Sequence, residues 1–334
     1  MEIRKLSELC DVTTGNLNKE NENPFGKYDF YVRSVQKLKC DKWTIDYDAI
    51  VIPGEGSFIP QYSTGKVAIH QRVYIIKSKD TNLLKNKYLY YWWLKNSNIL
   101  YKNACGSTVK SLRKNNFLSP SIFLPAIYIQ QQIINIIEPF EKIKKNILSK
   151  LEQLKNLYSK IINNKFNYEL MINNEIKFEK GVNFKKIKFS SNGITFINVS
   201  AINNKPNKYV DLISKNLINV NYGDVVISLD GTPGLVNNFL YGINGYGYKL
   251  VSSKYKNYEL YFSLLNKYNQ KVISKFSTGT TILHASKAKN ELVIMDFEKY
   301  KNVLEKIYEI EIKWKAINLN LYRIINNLIF KYLV

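Results

Sequence analysis

The sequence predicts an α+β protein: two similar globular domains separated by two long antiparallel coiled-coil helices, with pseudo-two-fold duplication. Three observations predict it. KNKYLYYW (85–92) returns as KNYELYFS (256–263), Gly106-Ser107-Thr108 as Gly279-Thr280-Thr281, and YDAIVI (47–52) as YGDVVI (222–227). The offset stays between 171 and 175 residues, so the repeat is a whole domain and not a short solenoid unit. Each copy also runs into a heptad-patterned segment, and each alternates short Val-, Ile- and Tyr-rich runs with a few helical patterns.

In chain order, IRKLSELCDVTTG (3–15) reads as a short helix and a turn, and YDFYVRSV (28–35) and YDAIVIPGEG (47–56) as strands. KVAIHQRVYIIK (66–77) continues the strand pattern, and KNKYLYYWWLKNSNIL (85–100) is a core helix. Residues 106–127 give a glycine turn and a last strand, SIFLP. The second copy reads ITFINVSAI (194–202), YGDVVISLDG (222–231) and YGYKLVSS (246–253) as strands, 256–275 as a helix, and ELVIMDF (291–297) as a strand. It carries no clear copy of the opening, where FEKGVNFKKIKFSSNG (178–193) stands instead. The expected boundaries are domain 1 at 1–127, spacer helix 1 at 128–166, domain 2 at 167–296 and spacer helix 2 at 297–334.

The helical segments follow 4,3 spacing. The first seam is Ile129, Ile133, Ile136, Phe140, Ile143, Ile147, Leu154, Leu157 and Ile161, with Lys150 in the one polar slot. The second is Val303, Ile307, Ile310, Trp314, Ile317, Leu321, Ile324 and Leu328. Two such stripes in a duplicated chain point to mutual pairing. Pro139 lies near the start of the first helix, where proline removes a hydrogen bond and favours a kink.

With 334 residues, each domain is large enough for its own core. Lys and Arg number 49 against 27 Asp and Glu, a formal charge of +22. Domain 1 carries 19 basic and 11 acidic residues and domain 2 carries 16 and 9, so the surplus is not a basic tail. Such a balance favours a polyanion, most simply nucleic acid. Only five of the 49 cations are Arg, as in AT-rich coding sequences that fill surfaces with Lys, so charge alone leaves a codon effect open. Cys10, Cys40 and Cys105 lack metal-ligand spacing and suit a reducing cytoplasm. No apolar run is long enough for a membrane span.

Catalytic patterns are missing. Gly106-Ser107-Thr108 lacks the phosphate-loop frame, Gly54-Glu55-Gly56 is a tight turn, and Asn23-Pro24-Phe25 is a turn without a cofactor strand before it. His70 and His284 form no metal set with the scattered cysteines.

On these motifs the chain resembles the specificity subunit of type I restriction–modification systems. The carriers are IRKLSELCDVTTG, GKVAIHQRVYII (65–76), GSTVKSLRKNNFLSPSIFLP (106–125), the helix IQQQIINIIEPFEKIKKNILSKLEQL (129–154) and GTTILHASKAKNELVIMDF (279–297). The resemblance implies two target recognition domains, each followed by a helix, with the helices paired antiparallel. It implies a non-catalytic DNA-recognition subunit that reads a bipartite target with a fixed gap. Double-stranded DNA, two modification (methyltransferase) subunits and restriction (translocase/nuclease) subunits would be its partners. S-adenosylmethionine, ATP and Mg would belong to those partners, leaving this chain with no cofactor. The alternatives are a silent specificity cassette, a coiled-coil nucleic-acid-binding protein outside restriction–modification, and a stand-alone methyltransferase or nuclease.

Base readout needs paired donors or acceptors over base edges: Arg for guanine, Asn or Gln for adenine. The domain 1 candidates are Arg33, Gln61, Lys66, His70, Gln71 and Arg72, with Lys110, Arg113 and Lys114 after the glycine turn. In domain 2 they are Asn204, Lys205, Asn237, Asn238, Lys249 and His284, with Lys287 and Lys289.

Overall fold

The computed structural model describes residues 2–182, 188–211, 217–280 and 282–333. Thr281 of the second glycine turn and 183–187 of the 178–193 stretch lie outside them. Two compact units emerge: unit 1 is Met1–Lys145 with Asn320–Val334, and unit 2 is Asn146–Leu319.

Unit 1 opens with β1 (Glu2–Lys5), α1 (Leu6–Leu9) and β2 (Cys10–Thr14), so a strand flanks the expected short helix on each side. There follow β3 (Tyr28–Tyr31), β4 (Leu38–Cys40), β5 (Ile45–Asp46), β6 (Ala49–Pro53) and β7 (Gln61–Ser63). The run 66–77 is two strands, β8 (Lys66–Ile69) and β9 (Val73–Ser78), broken by a turn at His70–Arg72. Then come α2 (Asn86–Asn96), α3 (Asn98–Asn103), α4 (Lys114–Leu118), β10 (Ser121–Leu124) and α5 (Ile127–Ile162). α5 is continuous across Pro139.

In unit 2, β11 (Tyr168–Leu170) and β12 (Ile176–Lys180) precede β13 (Phe189–Ser190) and β14 (Ile194–Ile197). α6 (Val199–Ile202) takes the end of ITFINVSAI, because Asn198 caps it by accepting the Ala201 N–H at 2.9 Å. β15 (Tyr209–Val210), β16 (Asn219–Val220), β17 (Val225–Ile227), β18 (Asp230–Gly231), β19 (Val236–Asn237), β20 (Gly242–Asn244) and β21 (Tyr248–Ser252) follow. The 256–275 helix is broken at Asn266 into α7 (Asn257–Leu265) and α8 (Lys267–Phe276). β22 (Leu283–His284), β23 (Val293–Met295) and α9 (Lys301–Tyr332) follow; α9 passes into unit 1 after Leu319, as α5 passes into unit 2 after Lys145.

The duplication is visible in strand order. Unit 1 has sheets β2-β9-β6-β7 and β4-β3-β8-β5 and the pair β1-β10. Unit 2 answers with β12-β21-β17-β19, β13-β15-β14-β20-β16 and β11-β23. In each second sheet one pair is parallel, β3 with β8 and β14 with β20. The copy of the opening therefore exists, at 168–180 and not at 178–193. Its backbone gives it away: Leu6 N–H donates to Pro120 O at 2.9 Å, and Met171 N–H donates to Leu292 O at 2.8 Å.

Each core is organised around the repeated aromatic helix. In unit 1, Tyr88, Leu89, Tyr91 and Trp93 of α2 pack with Ile50 and Ile76, with Ile133, Ile134 and Ile137 near the start of α5, and with Ile325 and Ile329 near the end of α9. In unit 2, Tyr258, Leu260, Tyr261 and Phe262 of α7 pack with Val225 and Ile227, with Tyr158 and Ile162 at the end of α5, and with Leu304 and Ile307 at the start of α9. Within each unit the two long helices thus meet with opposed directions. Each such buried side chain contributes roughly 1.5–3 kcal/mol, so the helices belong to the domain cores.

Candidate nucleic-acid interface

In unit 1 the loops after β3 and β6, the turn 70–72 and the loop 105–113 are tied by backbone hydrogen bonds. His70 N–H donates to Tyr31 O at 3.0 Å, Gly54 N–H to Arg72 O at 2.9 Å, and Leu112 N–H to Gly54 O at 2.8 Å. Cys105 and Ser111 exchange two further bonds of 3.0 and 2.7 Å. Gly106 makes this last loop possible: its φ is +118°, and a Cβ there would stand 2.3 Å from Val109 O.

Arg33 and Arg72 converge on one carboxylate upon this frame. Arg33 Nη1 lies 3.0 Å from Glu55 Oε2, and Arg72 Nη1 contacts Glu55 Oε1. Both arginine side chains remain more than half exposed, at 55% and 56%, whereas that of Glu55 is 19% exposed. The Arg33 hydrogen bond, supported by Arg72, holds the Glu55 carboxyl below its usual range. His70 is buried and its Nδ1 accepts the Arg72 N–H at 3.1 Å. Burial, then the charges of Arg33 and Arg72, push its pKa down, which favours this acceptor state. Exposed Gln71 lines a 230 Å³ cleft with Thr14, Glu55, Arg72 and Ser111.

Unit 2 builds a corresponding frame, with no counterpart of the Gly54–Arg72 bond among the described residues. Gly245 N–H donates to Ile197 O at 3.0 Å, and Ala285 N–H to Leu229 O at 2.7 Å. Thr278 and His284 exchange bonds of 3.0 and 2.8 Å, and Gly279 has φ +122° with Ile282 O 2.3 Å from a Cβ position. Asp230 therefore stands where Glu55 does, and His284 where Ser111 does. His284 Nδ1 lies 2.9 Å from Asp230 Oδ1, to which Ser286 Oγ also donates at 3.3 Å. Val199 takes the place of Arg33, and a cavity of 740 Å³ opens between Lys180, Asn198, Asp230, Tyr246, Ile282 and His284.

The remaining sequence candidates are scattered. Gln61 is half-buried on β7 opposite Val51. Lys66 Nζ lies 5.2 Å from the Trp43 ring and 4.0 Å from Asp46. Lys110, Arg113 and Lys114 are exposed on the loop that Gly106 starts and at the N-terminus of α4. Asn204 and Lys205 are exposed after α6, with Asn204 at φ +57°. Lys287 is exposed, and Lys289 Nζ sits 4.5 Å above the Tyr248 ring.

Three candidates are committed inwards. Buried Asn237 donates to Ile202 O at 2.8 Å and to Asn204 Oδ1 at 3.0 Å, and accepts the Phe239 N–H at 2.8 Å. Buried Asn238 accepts from Lys315 Nζ at 2.7 Å. Lys249 bonds Asp224 at 2.8 Å and Asn219 O at 3.0 Å. Asn237, Lys249 and Oδ1 of Asn238 are engaged by backbone and side chains of the unit itself, while Nδ2 of Asn238 has no partner among the described residues.

On the long helices, eleven of the seventeen expected seam residues lie inward or half-inward and six are exposed. Ile133, Phe140, Ile147, Leu154 and Ile161 are buried or half-buried, as are Ile307, Trp314, Leu321 and Leu328, and Ile129 and Ile310 are half-buried. Ile136, Ile143, Lys150 and Leu157 are exposed, as are Val303, Ile317 and Ile324. The next residue takes the inward place: Ile137, Lys144, Leu151 and Tyr158 on α5, and Leu304, Asn318 and Ile325 on α9, where Glu311 is also buried beside half-buried Ile310. Lys150 Nζ lies 5.6 Å over the Trp314 ring and Lys144 Nζ 5.0 Å over the Tyr322 ring.

Sequence reasoning missed Glu55 and Asp230 as paired positions, although an acidic residue followed by glycine ends the same strand in both copies. It also missed a tyrosine–glutamate contact in each unit, made from positions that are not equivalent in the repeat. Tyr91 OH donates to Glu141 Oε2 at 2.9 Å in unit 1, and Tyr261 OH to Glu311 Oε1 at 3.1 Å in unit 2. Among the described residues no cluster of three or more His, Cys, Asp or Glu is placed to hold a metal ion. No helix of the described residues is long and apolar enough to cross a membrane.

Fold and loops together define a class: a duplicated α+β chain in which each copy rests on both long helices and gathers polar loops beside two sheets. Residues 1–153 match the model of the type I restriction modification DNA specificity domain. The chain is similar to the type I restriction enzyme EcoDI specificity subunit of Escherichia coli, at 30% identity over 152 residues. That alignment covers 45% of this chain and 33% of the relative, so the matched part spans about a third of that protein's length. The solved S subunit of a type I restriction–modification system from M. genitalium shares the fold, with a TM-score of 0.63 at 17% identity over 100% of this chain and 96% of that one.

Proposed function

We propose that this chain is the DNA sequence-recognition subunit of a type I restriction–modification enzyme, itself non-catalytic. Each unit reads one part of a bipartite target, and the paired helices keep the gap between the parts fixed. The observation that carries the reading is the repeated loop frame: corresponding backbone bonds, in two copies, present different exposed polar side chains in a chain whose residues 1–153 match the specificity-domain model. Duplicated scaffolds with divergent loops suit an asymmetric target. Lys110, Arg113, Lys114 and Lys287 stand exposed near these loops and would meet phosphate.

The reading extends to partners. Ile136, Ile143 and Leu157 on α5 and Val303, Ile317 and Ile324 on α9 are 38–49% exposed. A second apolar stripe on helices whose other stripe is buried fits the docking of further subunits. We assign to it two modification subunits, which supply S-adenosylmethionine chemistry, and the ATP- and Mg-dependent restriction subunits, all acting on double-stranded DNA in the cytoplasm.

The test is binding of the full chain to a mixed-sequence duplex and to RNA over a range of salt. The expected result is preference for the duplex, with affinity falling steeply as salt rises. Equal or tighter RNA binding, or salt-independent binding, contradicts the reading.

A further inference from the structure

We propose that unit 1 reads a guanine base through Arg33 and Arg72, and that Glu55 is the positioning residue that aims both guanidiniums. The inference rests on the DNA-recognition reading above and narrows it to one base at one site.

Three observations carry it. The chain uses Arg for only five of its 49 cations, yet two of those five meet at one carboxylate from separate loops. Lys would supply the same charge; Arg adds a planar fork that pairs with the O6 and N7 edge of guanine. Next, each guanidinium spends Nη1 on Glu55, while Nε and Nη2 of each have no partner among the described residues. An adjacent donor pair therefore remains on each side chain, and both side chains are more than half exposed.

The third observation is how firmly the device is braced. Glu55 sits on a segment held to the turn 70–72 and to the 105–113 loop by the Gly54 N–H and Gly54 O hydrogen bonds. His70 Nδ1 fixes the Arg72 backbone from behind. Lys249 and Asp224 in unit 2, by contrast, form a covered pair, at 17% and 20% exposure. Unit 2 supplies the contrast. Its equivalent place holds Asp230 and His284 beside Val199, with no arginine, so the guanine preference is expected in one half-target only.

The test selects binding sites for the full chain from a pool of randomised duplexes, using wild type, R33K, R72K and E55Q. Lys keeps the charge, and Gln keeps the shape of the carboxylate. Wild type is expected to select a half-site with a fixed guanine. In R33K or R72K, and in E55Q, preference for that guanine should fall roughly five- to hundredfold, with the other positions and the salt slope unchanged. A uniform loss of affinity at every position, accompanied by a lower melting temperature, would mark a merely structural role and overturn the proposal. So would an unchanged motif in all three variants. Wild type selecting no motif at all would overturn the underlying DNA-recognition reading as well, a result distinct from a motif that ignores these residues.

Discussion

The two tyrosine–glutamate contacts, one in each unit, offer a sharp stability test, because both tyrosines are buried while their carboxylates differ in burial. In unit 2, Tyr261 is 4% exposed and Glu311 5% exposed, and burial raises the Tyr261 pKa well above its usual value. Glu311 Oε1 takes both the Tyr261 hydroxyl and Lys315 Nζ at 2.6 Å, and its Oε2 has no partner among the described residues. Tyr261→Phe removes one of two supports of a buried charge. A hydrogen bond to a charged group contributes about 1.5–3 kcal/mol, and the loss here should fall in that range. In unit 1, Glu141 is 21% exposed and is also held by Lys87 at 2.7 Å, so water can replace the Tyr91 hydroxyl. Tyr91→Phe should cost only about 0.5–1.5 kcal/mol. Urea unfolding of both variants, followed by fluorescence, reads the difference. Trp314 reports on unit 2, and Trp43, Trp92 and Trp93 on unit 1. Equal shifts, or a larger shift for Tyr91→Phe, would refute the reasoning from burial.

Other outcomes are expected from the same structure. Gly106→Ala and Gly279→Ala should each disorder one loop frame and weaken duplex binding, because the added Cβ meets a backbone oxygen at 2.3 Å; unchanged binding in a titration would count against the frames as DNA contacts. Asn237→Ala should lower stability by about 1–3 kcal/mol in the urea assay while leaving the selected DNA motif intact, since it strands the Ile202 carbonyl and the Phe239 amide. Cys105 is exposed, whereas burial pushes the Cys10 thiol up to about 12, so a thiol reagent followed by peptide mass spectrometry should label Cys105 first and spare Cys10 in the folded chain. Seven residues inserted after Ile147 and after Ile317, two heptads in all, should lengthen the target gap by about three base pairs, from roughly 1.5 Å per residue and 3.4 Å per base pair; a constant gap in methylation mapping would show that the helices do not set it.

The doubled fold was legible because aromatic helices and glycine turns recur as words. Short strands were harder: the break at His70–Arg72 falls within a run of strand-forming residues, and only the hydrogen bonds to Tyr31 and Gly54 reveal it. The opening of the second copy escaped notice because its pairing is preserved in backbone bonds, which accept almost any side chain. On the long helices the inward face was misplaced by one residue at alternate positions. Ile136-Ile137, Leu157-Tyr158, Val303-Leu304 and Ile324-Ile325 are adjacent apolar pairs, between which periodicity cannot choose. Elsewhere the inward residue is polar, as are Glu311, which accepts from Tyr261, and Asn318. The candidate site was half legible. Arg33, His70, Gln71, Arg72 and His284 do lie on the repeated loop frames, but Glu55 and Asp230 read as turn residues, and Asn237, Asn238 and Lys249 looked no different from surface groups.

Adenine methylation mapped across the genome, in cells with and without this chain but otherwise unchanged, bears on the central claim most directly. A split motif of two short elements with one constant spacing should be methylated when the chain is present and lose its methylation when it is removed. Identical maps in the two strains, or methylation of a single uninterrupted motif, would contradict a two-unit reader of DNA.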